Sequence, residues 1–263
     1  MKEMDYKQIN NCIASYQEAF CSVEKEKEFI RYVDDKLPDM YDHNFIVINP
    51  KTAPIDCERI IREELARQKR KGADFCKVDV MRRGQLDEIL KMSFEADPEA
   101  DGLLYCTSTE PENLKLEKIS GMDVKRVDSE QREEDLAMIE SASNAPEIEE
   151  EFFQRKIAVQ YEIYRNPNGV DAFICYQDGK PAGKAELFVD RDWAMIEDLI
   201  VLPEFRHQGI AKNLIYELIQ EGLRRGTEGV FLMADADDSP KEMYRKFGFD
   251  ERLGRTSLFF EIS

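Results

Sequence analysis

Histidine is scarce in this chain: two (His43 and His207) in 263 residues. The six cysteines, at 12, 21, 57, 76, 106 and 175, form no C-x-x-C pair. A zinc site needs a cluster of nitrogen and sulfur ligands, so both absences argue against one, and no metal is expected. Basic excess is also missing, since 37 Lys+Arg stand against 55 Asp+Glu and leave a formal net charge of −18. Nucleic-acid phosphates and anionic membrane surfaces would be repelled, which argues against both as partners. No apolar run approaches the ~20 residues of a membrane span. The opening Met-Lys-Glu-Met-Asp-Tyr-Lys does not read as a secretory signal. A cytosolic location with reduced thiols follows as the expectation. Neither of the glycine-rich nucleotide loops, GxxxxGK[ST] or GxGxxG, occurs.

What is present suits a globular protein of one large domain or two ordinary ones, with 42% apolar and 35% charged residues. Residues 5–36 read as one or two helices, from the spacing of Ile9, Ile13, Tyr16 and Phe20 and then of Phe29, Ile30 and Val33. Residues 44–48 read as a strand. Residues 55–71 read as a helix with Asp56 as N-cap and Gly72 as C-cap. Residues 74–80 read as a strand, 86–94 as helix and 103–107 as strand. A polar stretch, 111–121, serves as linker. The expectation is a smaller α/β domain over 1–120 and a second domain over 122–263. The second opens with a strand (123–127) and a helix capped by Asp128 or Ser129. A break at 141–146 leads to a helix over 148–163, with Glu147, Glu149, Glu150 and Glu151 in its first turn. Three strands follow, 170–176, 181–189 and 194–201, then a helix, a strand at 229–233, a short helix at 239–246 and a strand at 257–262.

The chain is organised around Val201-Leu-Pro-Glu-Phe-Arg-His-Gln-Gly-Ile-Ala-Lys212. Pro203 stops the apolar strand before it, having no amide for a ladder. Ile210, Leu214, Ile215, Leu218, Ile219 and Leu223 then share one helical face. A helix start leaves N–H groups unpaired and carries partial positive charge, so with Gly209 allowing close approach it suits a phosphate. A plain strand-to-helix turn would use the glycine equally well. The pattern Arg206-x-x-Gly209-x-Ala211 resembles the acetyl-CoA loop of the GNAT family of N-acetyltransferases, Arg/Gln-x-x-Gly-x-Gly/Ala. The order of elements over about 122–263 is that expected for the family, and the first third lies outside the resemblance.

The resemblance implies an α/β (α+β) fold, the acyl-CoA N-acyltransferase fold: a mixed, mostly antiparallel twisted sheet flanked by helices. It implies acetyl-CoA as co-substrate, its diphosphate held by Arg206, His207, Gln208, Gly209, Ile210 and Ala211. The pantetheine arm would pair with Leu199, Ile200 and Val201. Asp237 stands where the family often has asparagine contacting that arm, though a carboxylate accepts without donating. Tyr244, four before Gly248 in Tyr-Arg-Lys-Phe-Gly-Phe, occupies the place of the general acid for the thiolate; packing of a helix on the sheet is the other use of such a tyrosine. Ile196-Glu-Asp-Leu199 looks like the corresponding segment of glucosamine-phosphate acetyltransferases, and Glu197 is the candidate base. Binding of a cationic acceptor, or plain solvent exposure, would also account for Glu197. Strand alternation predicts that Glu197 and Asp198 face opposite ways.

The activity implied is acetyl transfer to a primary amine of a small molecule or protein, by a monomer or homodimer. The other reading is a non-catalytic acyl-CoA-binding regulatory module with a partner-binding N-terminal domain. For residues 1–120 two alternatives stand: a degenerate acetyltransferase-like copy without its cofactor loop, or an unrelated packing or gating domain.

Overall fold

The computed structural model describes residues 6–143, 150–166, 169–237 and 239–262. In chain order come helix α1 (Tyr6–Phe20), strands β1 (Ser22–Lys25), β2 (Phe29–Val33) and β3 (Phe45–Ile48), helix α2 (Pro54–Lys71), strand β4 (Phe75–Val80), helix α3 (Arg83–Ile89) and strand β5 (Glu99–Ser108). Next are β6 (Met122–Arg126), α4 (Glu130–Ser143), α5 (Glu150–Tyr164), β7 (Asp171–Gln177), β8 (Lys180–Asp190) and β9 (Trp193–Val201). Then follow α6 (Ile210–Arg224), β10 (Gly229–Asp235), α7 (Pro240–Phe247) and β11 (Asp250–Glu261).

Two compact units share these elements. Unit one takes residues 1–19, 106–233 and 242–250; unit two takes 20–105, 234–241 and 251–263. This partition differs from a single cut near residue 121: α1 belongs with the later elements and β11 with the earlier ones.

Unit one carries β10-β9-β8-β7-β6 in that spatial order. Strands β7 to β9 form an antiparallel meander, and β6, which precedes α4 and α5 in the chain, pairs antiparallel with β7. The β7–β8 hairpin turns at Asp178 and Gly179, whose φ values of 51° and 76° give the two positive φ that a tight two-residue turn requires. Helix α6 carries the chain back over β8 and β9, so β10 joins β9 in parallel. The apolar face read from the sequence is the buried one: Ile210, Leu214, Ile215, Leu218 and Ile219 all face inward.

Unit two carries β1-β2-β3-β4-β11. Strands β1, β2 and β3 run antiparallel, and α2 returns the chain so that β4 lies parallel to β3. Strand β11 closes on β4 with six antiparallel pairs, Thr256↔Val80 to Glu261↔Phe75. The core lies between α2 and the sheet: Ile46, Ile48, Ile60, Ile61, Val78 and Phe260 are buried together. Each unit thus repeats one progression, three antiparallel strands, a helix and a parallel strand: β1-β2-β3-α2-β4 in one, β7-β8-β9-α6-β10 in the other.

Several local expectations are corrected. Residues 21–36 are a hairpin, not helix; Glu26 N–H bonds Phe29 O at 2.9 Å and Lys25 pairs with Ile30. The aromatic and β-branched run Phe29-Ile-Arg-Tyr-Val33 satisfies either period over five residues, and pairing with β3 decides. Helix α2 is capped by Ala53 with Pro54 in its first turn, and no side chain caps it, so Asp56 is not the N-cap. Gly72, at φ 72°, is the C-cap as expected. Glu150 and Glu151 form the first turn of α5, and α4 runs on through Ser143, so the break does not begin at 141; residues 144–146, Glu147 and Glu149 lie outside the described residues.

Candidate functional site

The site forms where β9 leaves its neighbours. Against β8 its register runs Glu197↔Glu186 and then Ile200↔Lys184, so Asp198 and Leu199 together oppose Ala185. Two residues against one is a β-bulge. Its first residue, Asp198, sits at φ 49° in the left-handed region, which aspartate tolerates better than most residues. Gly183 admits the close approach that follows, since a Cβ there would stand 2.6 Å from Ile200 O. On its other edge β9 pairs with β10 only from Trp193↔Gly229 to Ile196↔Leu232. Five further residues, through Val201, run on past that ladder. Leu199, Ile200 and Val201 therefore lie beyond the bulge, on a stretch of strand where the β10 ladder has stopped.

The segment after β9 makes a 3₁₀ turn, Pro203–Phe205, and enters α6. Gly209 is the N-cap at φ 91°, no side chain caps the helix, and no acidic residue lies in its first turn. The first helical bond is Asn213 N–H to Gly209 O at 2.9 Å, so the amides of Ile210, Ala211 and Lys212 have no intrahelical acceptor. His207, at φ 61°, lies in the same turn. Arg206 is exposed, its Nε donating to Val201 O at 3.3 Å; the Gln208 side chain donates to Glu204 O at 2.7 Å. A strap crosses this mouth. Ile119 N–H donates to Asn213 Oδ1 at 2.9 Å, and a Cβ on Gly209 would meet Ile119 Cδ1 at 2.5 Å. These residues fit a diphosphate: donors, a flexible arginine and no acidic residue in the first turn of the helix, while Glu117 of the strap accepts from Lys212 Nζ at 3.1 Å.

Tyr244 lies in α7, 5% exposed, edge-on to Phe249 with ring centroids 6.2 Å apart. Gly248, at φ 101°, ends the helix, and the Gly248 and Phe249 amides both donate to Tyr244 O, at 3.2 and 3.1 Å. Asp237 is an exposed turn residue after β10 and belongs to unit two.

Behind the bulge is a group of charges that the sequence reading missed. Lys184 is 0% exposed and bonds both Glu140 of α4 and Asp198 of β9. Glu140, also 0% exposed, accepts from Lys156 Nζ at 2.8 Å. Glu186, one step along the same face of β8, accepts from Tyr16 OH at 2.7 Å and from Tyr164 OH. The expectation that Glu197 and Asp198 face opposite ways is corrected. Glu197 shares a face with its partner Glu186, and the bulge brings the Asp198 carboxylate to Lys184 on that face too. Burial raises Glu186 above the ordinary carboxylate range, and Asp198 adds to this. Burial also works against ionised Asp198, but Lys184 and Lys156 outweigh it and hold the carboxylate low. Lys184 is held protonated against burial by Asp198, Glu140 and Glu186. Burial and the neighbouring carboxylates, Glu186 foremost, keep Tyr16 and Tyr164 as neutral hydroxyl donors. The one readable signal was a lysine inside the small-residue strand Ala182-Gly-Lys-Ala185.

Among the described residues no group of three or more His, Cys, Asp or Glu is placed to hold a metal, and no helix is long and apolar enough to cross a membrane.

Residues 134–249 match the family model described as acetyltransferase (GNAT) family. The "Uncharacterized N-acetyltransferase CgeE" of Bacillus subtilis (strain 168) is 24% identical over 231 residues, covering 83% of this chain and 84% of its own. A functionally unknown conserved protein from Staphylococcus epidermidis has the same fold, with TM-score 0.77, 17% identity and 99% of each chain covered. So does a GCN5-related N-acetyltransferase from Kribbella flavida, with TM-score 0.65, 16% identity, and 99% of this chain and 96% of that one covered.

Proposed function

On the premise that residues 134–249 are a domain of the acetyltransferase (GNAT) family, we propose that this protein transfers the acetyl group of acetyl-CoA to a primary amine of a small molecule or protein. The observation that carries this reading is the join at β9: the ladder to β10 stops at Ile196, the bulge follows at Asp198 and Leu199, and the amide-rich mouth of α6 opens at Gly209. In this reading the amides of Gly209, Ile210 and Ala211, with Arg206, His207 and Gln208, hold the diphosphate. The free stretch Leu199-Ile-Val201 pairs with the pantetheine arm. Glu197 takes the proton of the acceptor ammonium, directly or through a water. The neutral amine attacks the thioester carbonyl and a backbone N–H of the bulge stabilises the oxyanion; collapse breaks the C–S bond, Tyr244 protonates the departing thiolate, and the surplus proton on the new amide nitrogen restores the tyrosine hydroxyl. The reaction occupies the cytosol in this reading, and either one chain or a homodimer suffices for it.

The repeated progression in unit two supports reading residues 20–105 as a degenerate copy that has lost its cofactor loop.

Turnover of acetyl-CoA against a panel of primary amines tests the activity. Expected is amine-dependent release of CoA, reduced about 10²- to 10⁴-fold in Tyr244→Phe with acetyl-CoA binding retained. Tight binding without turnover of any amine, and no effect of Tyr244→Phe, would leave a non-catalytic acyl-CoA-binding module instead. No heat with CoA in a calorimeter, and no change on Gly209→Glu, would remove the cofactor site itself.

A further inference from the structure

We propose that Lys184 is a positioning residue that sets the β9 bulge, acting through Asp198 from the face of the sheet covered by α4 and α5. The inference rests on the acetyltransferase reading but concerns residues outside its catalytic set.

Three observations carry it. The first is conformational. Asp198 holds a left-handed φ in the middle of a strand, at the one place where the β8–β9 register slips. A non-glycine residue stays there only when its surroundings over-determine it. The second is the clamp. Lys184, with no exposed side-chain surface, is gripped between Glu140 and Asp198, and Lys156 completes the charge balance on Glu140. A buried lysine is expensive unless paired, and removal of one partner strands the other charge. The network is therefore an all-or-none arrangement: with Glu140 anchored on α4, the Lys184 ammonium can satisfy Asp198 only in the bulged conformation. The third is location. Lys184 is the β8 residue that resumes the ladder after the slip, opposite Ile200, and Gly183 beside it lets β8 come within reach of the Ile200 carbonyl. The lysine thus fixes where the extra residue of β9 is inserted. That in turn decides which backbone groups of Asp198 to Val201 turn out of the β8 ladder toward the open edge. The ammonium touches no reactant; it aims the groups that do.

The test uses the full chain with Lys184→Met, which keeps length and loses charge. If that protein does not fold, Lys184→Met with Glu140→Gln removes one charge of each sign and serves in its place. Two readouts are needed, hydrogen exchange of the 197–201 amides, with β7 as internal reference, and steady-state kinetics. Expected is at least tenfold faster exchange confined to 197–201, and at least a tenfold fall in kcat with the acetyl-CoA KM within threefold of wild type. Among changes at Asp198, glycine accepts the positive φ and alanine does not, so Asp198→Gly should retain at least ten times the kcat of Asp198→Ala. Wild-type exchange at 197–201 in Lys184→Met overturns the proposal. So does an unchanged kcat, or an Asp198→Gly protein no better than Asp198→Ala, which would make the carboxylate itself the chemical group. If wild type turns over no amine, the acetyltransferase reading fails while the exchange experiment still decides the role of Lys184.

Discussion

Asp34 in unit two makes four polar contacts, three of them through its carboxylate. Its Oδ2 lies 2.8 Å from His43 Nδ1, its Oδ1 accepts the Lys36 and Leu37 amides at 2.9 and 3.2 Å, and its own N–H reaches Asn44 Oδ1 at 3.0 Å. Burial alone would raise its pKa, but the His43 ring and the two amides outweigh burial and leave it below 3.8. A depressed carboxylate contributes stability that is full above the unfolded value and is lost as pH falls through the folded one. Replacing Asp34 by asparagine should therefore lose about 1.5–3 kcal/mol near neutral pH, the range for hydrogen bonds to a charged group. The gap between the two proteins should close below about pH 4, near the ordinary value for an aspartate. Urea titrations across pH 3–7 measure both; a gap independent of pH would contradict the assignment. None of this was legible beforehand, because His43 and Asp34 meet through a loop whose shape no periodicity encodes. By contrast Gly72, Gly209 and Gly248 were legible, since each follows or precedes a helix whose apolar face marks its end. Gly183 was not, because its neighbour is a carbonyl on the adjacent strand.

At the level of elements, α2 and α6 occupy corresponding places in the two units and differ at their mouths. Before α6 the chain leaves amides without acceptors. Before α2 it presents carbonyls, and they are taken: Gln85 Nε2 donates to Asn49 O at 3.1 Å and to Thr52 O at 2.7 Å, and Arg82 donates to Pro50 O at 3.0 Å. Pro54 removes one amide and Asp56 puts a negative charge in the first turn. An anion finds donors at one mouth and repulsion at the other. Calorimetry should accordingly give one CoA per chain, with Gly209→Glu abolishing it; a stoichiometry of two would refute the contrast. The turn into α6 was readable because glycine, proline and a following amphipathic face are local signals. The β1–β2 hairpin was not, because five apolar-rich residues fit both periods until β3 lies beside them. The bulge was invisible for a related reason: alternation assumes the even pleat that Asp198 interrupts.

For the whole chain, the consequential fact is how the units interleave. Helix α1 supplies Tyr16 to Glu186 and Gln8 to Trp193 Nε1 at 3.1 Å within unit one, while β11 completes the sheet of unit two. A fragment of residues 122–263 would lack those partners and leave β11 without β4; one of residues 1–120 would expose the β4 edge. Both should be expressed as aggregated or molten material, judged by near-ultraviolet circular dichroism and size exclusion, whereas the intact chain folds. A soluble, CoA-binding 122–263 fragment would show that α1 is dispensable. The composition shift at 111–121 suggested a boundary, and the order of elements after it was right. What composition could not convey is that the first helix is recruited back across that boundary.

The pairing of Tyr16 with Glu186 spans 170 residues. A ribosome adding about 5–20 residues per second needs on the order of ten to thirty seconds to supply that second partner. During that interval the nascent helix has its apolar stripe of Ile9, Cys12 and Ile13 but not its hydrogen-bonding partners on β8 and β9. Synthesis therefore leaves a timed window in which a holdase has a reason to attend the emerging chain, and it closes only when β8 appears.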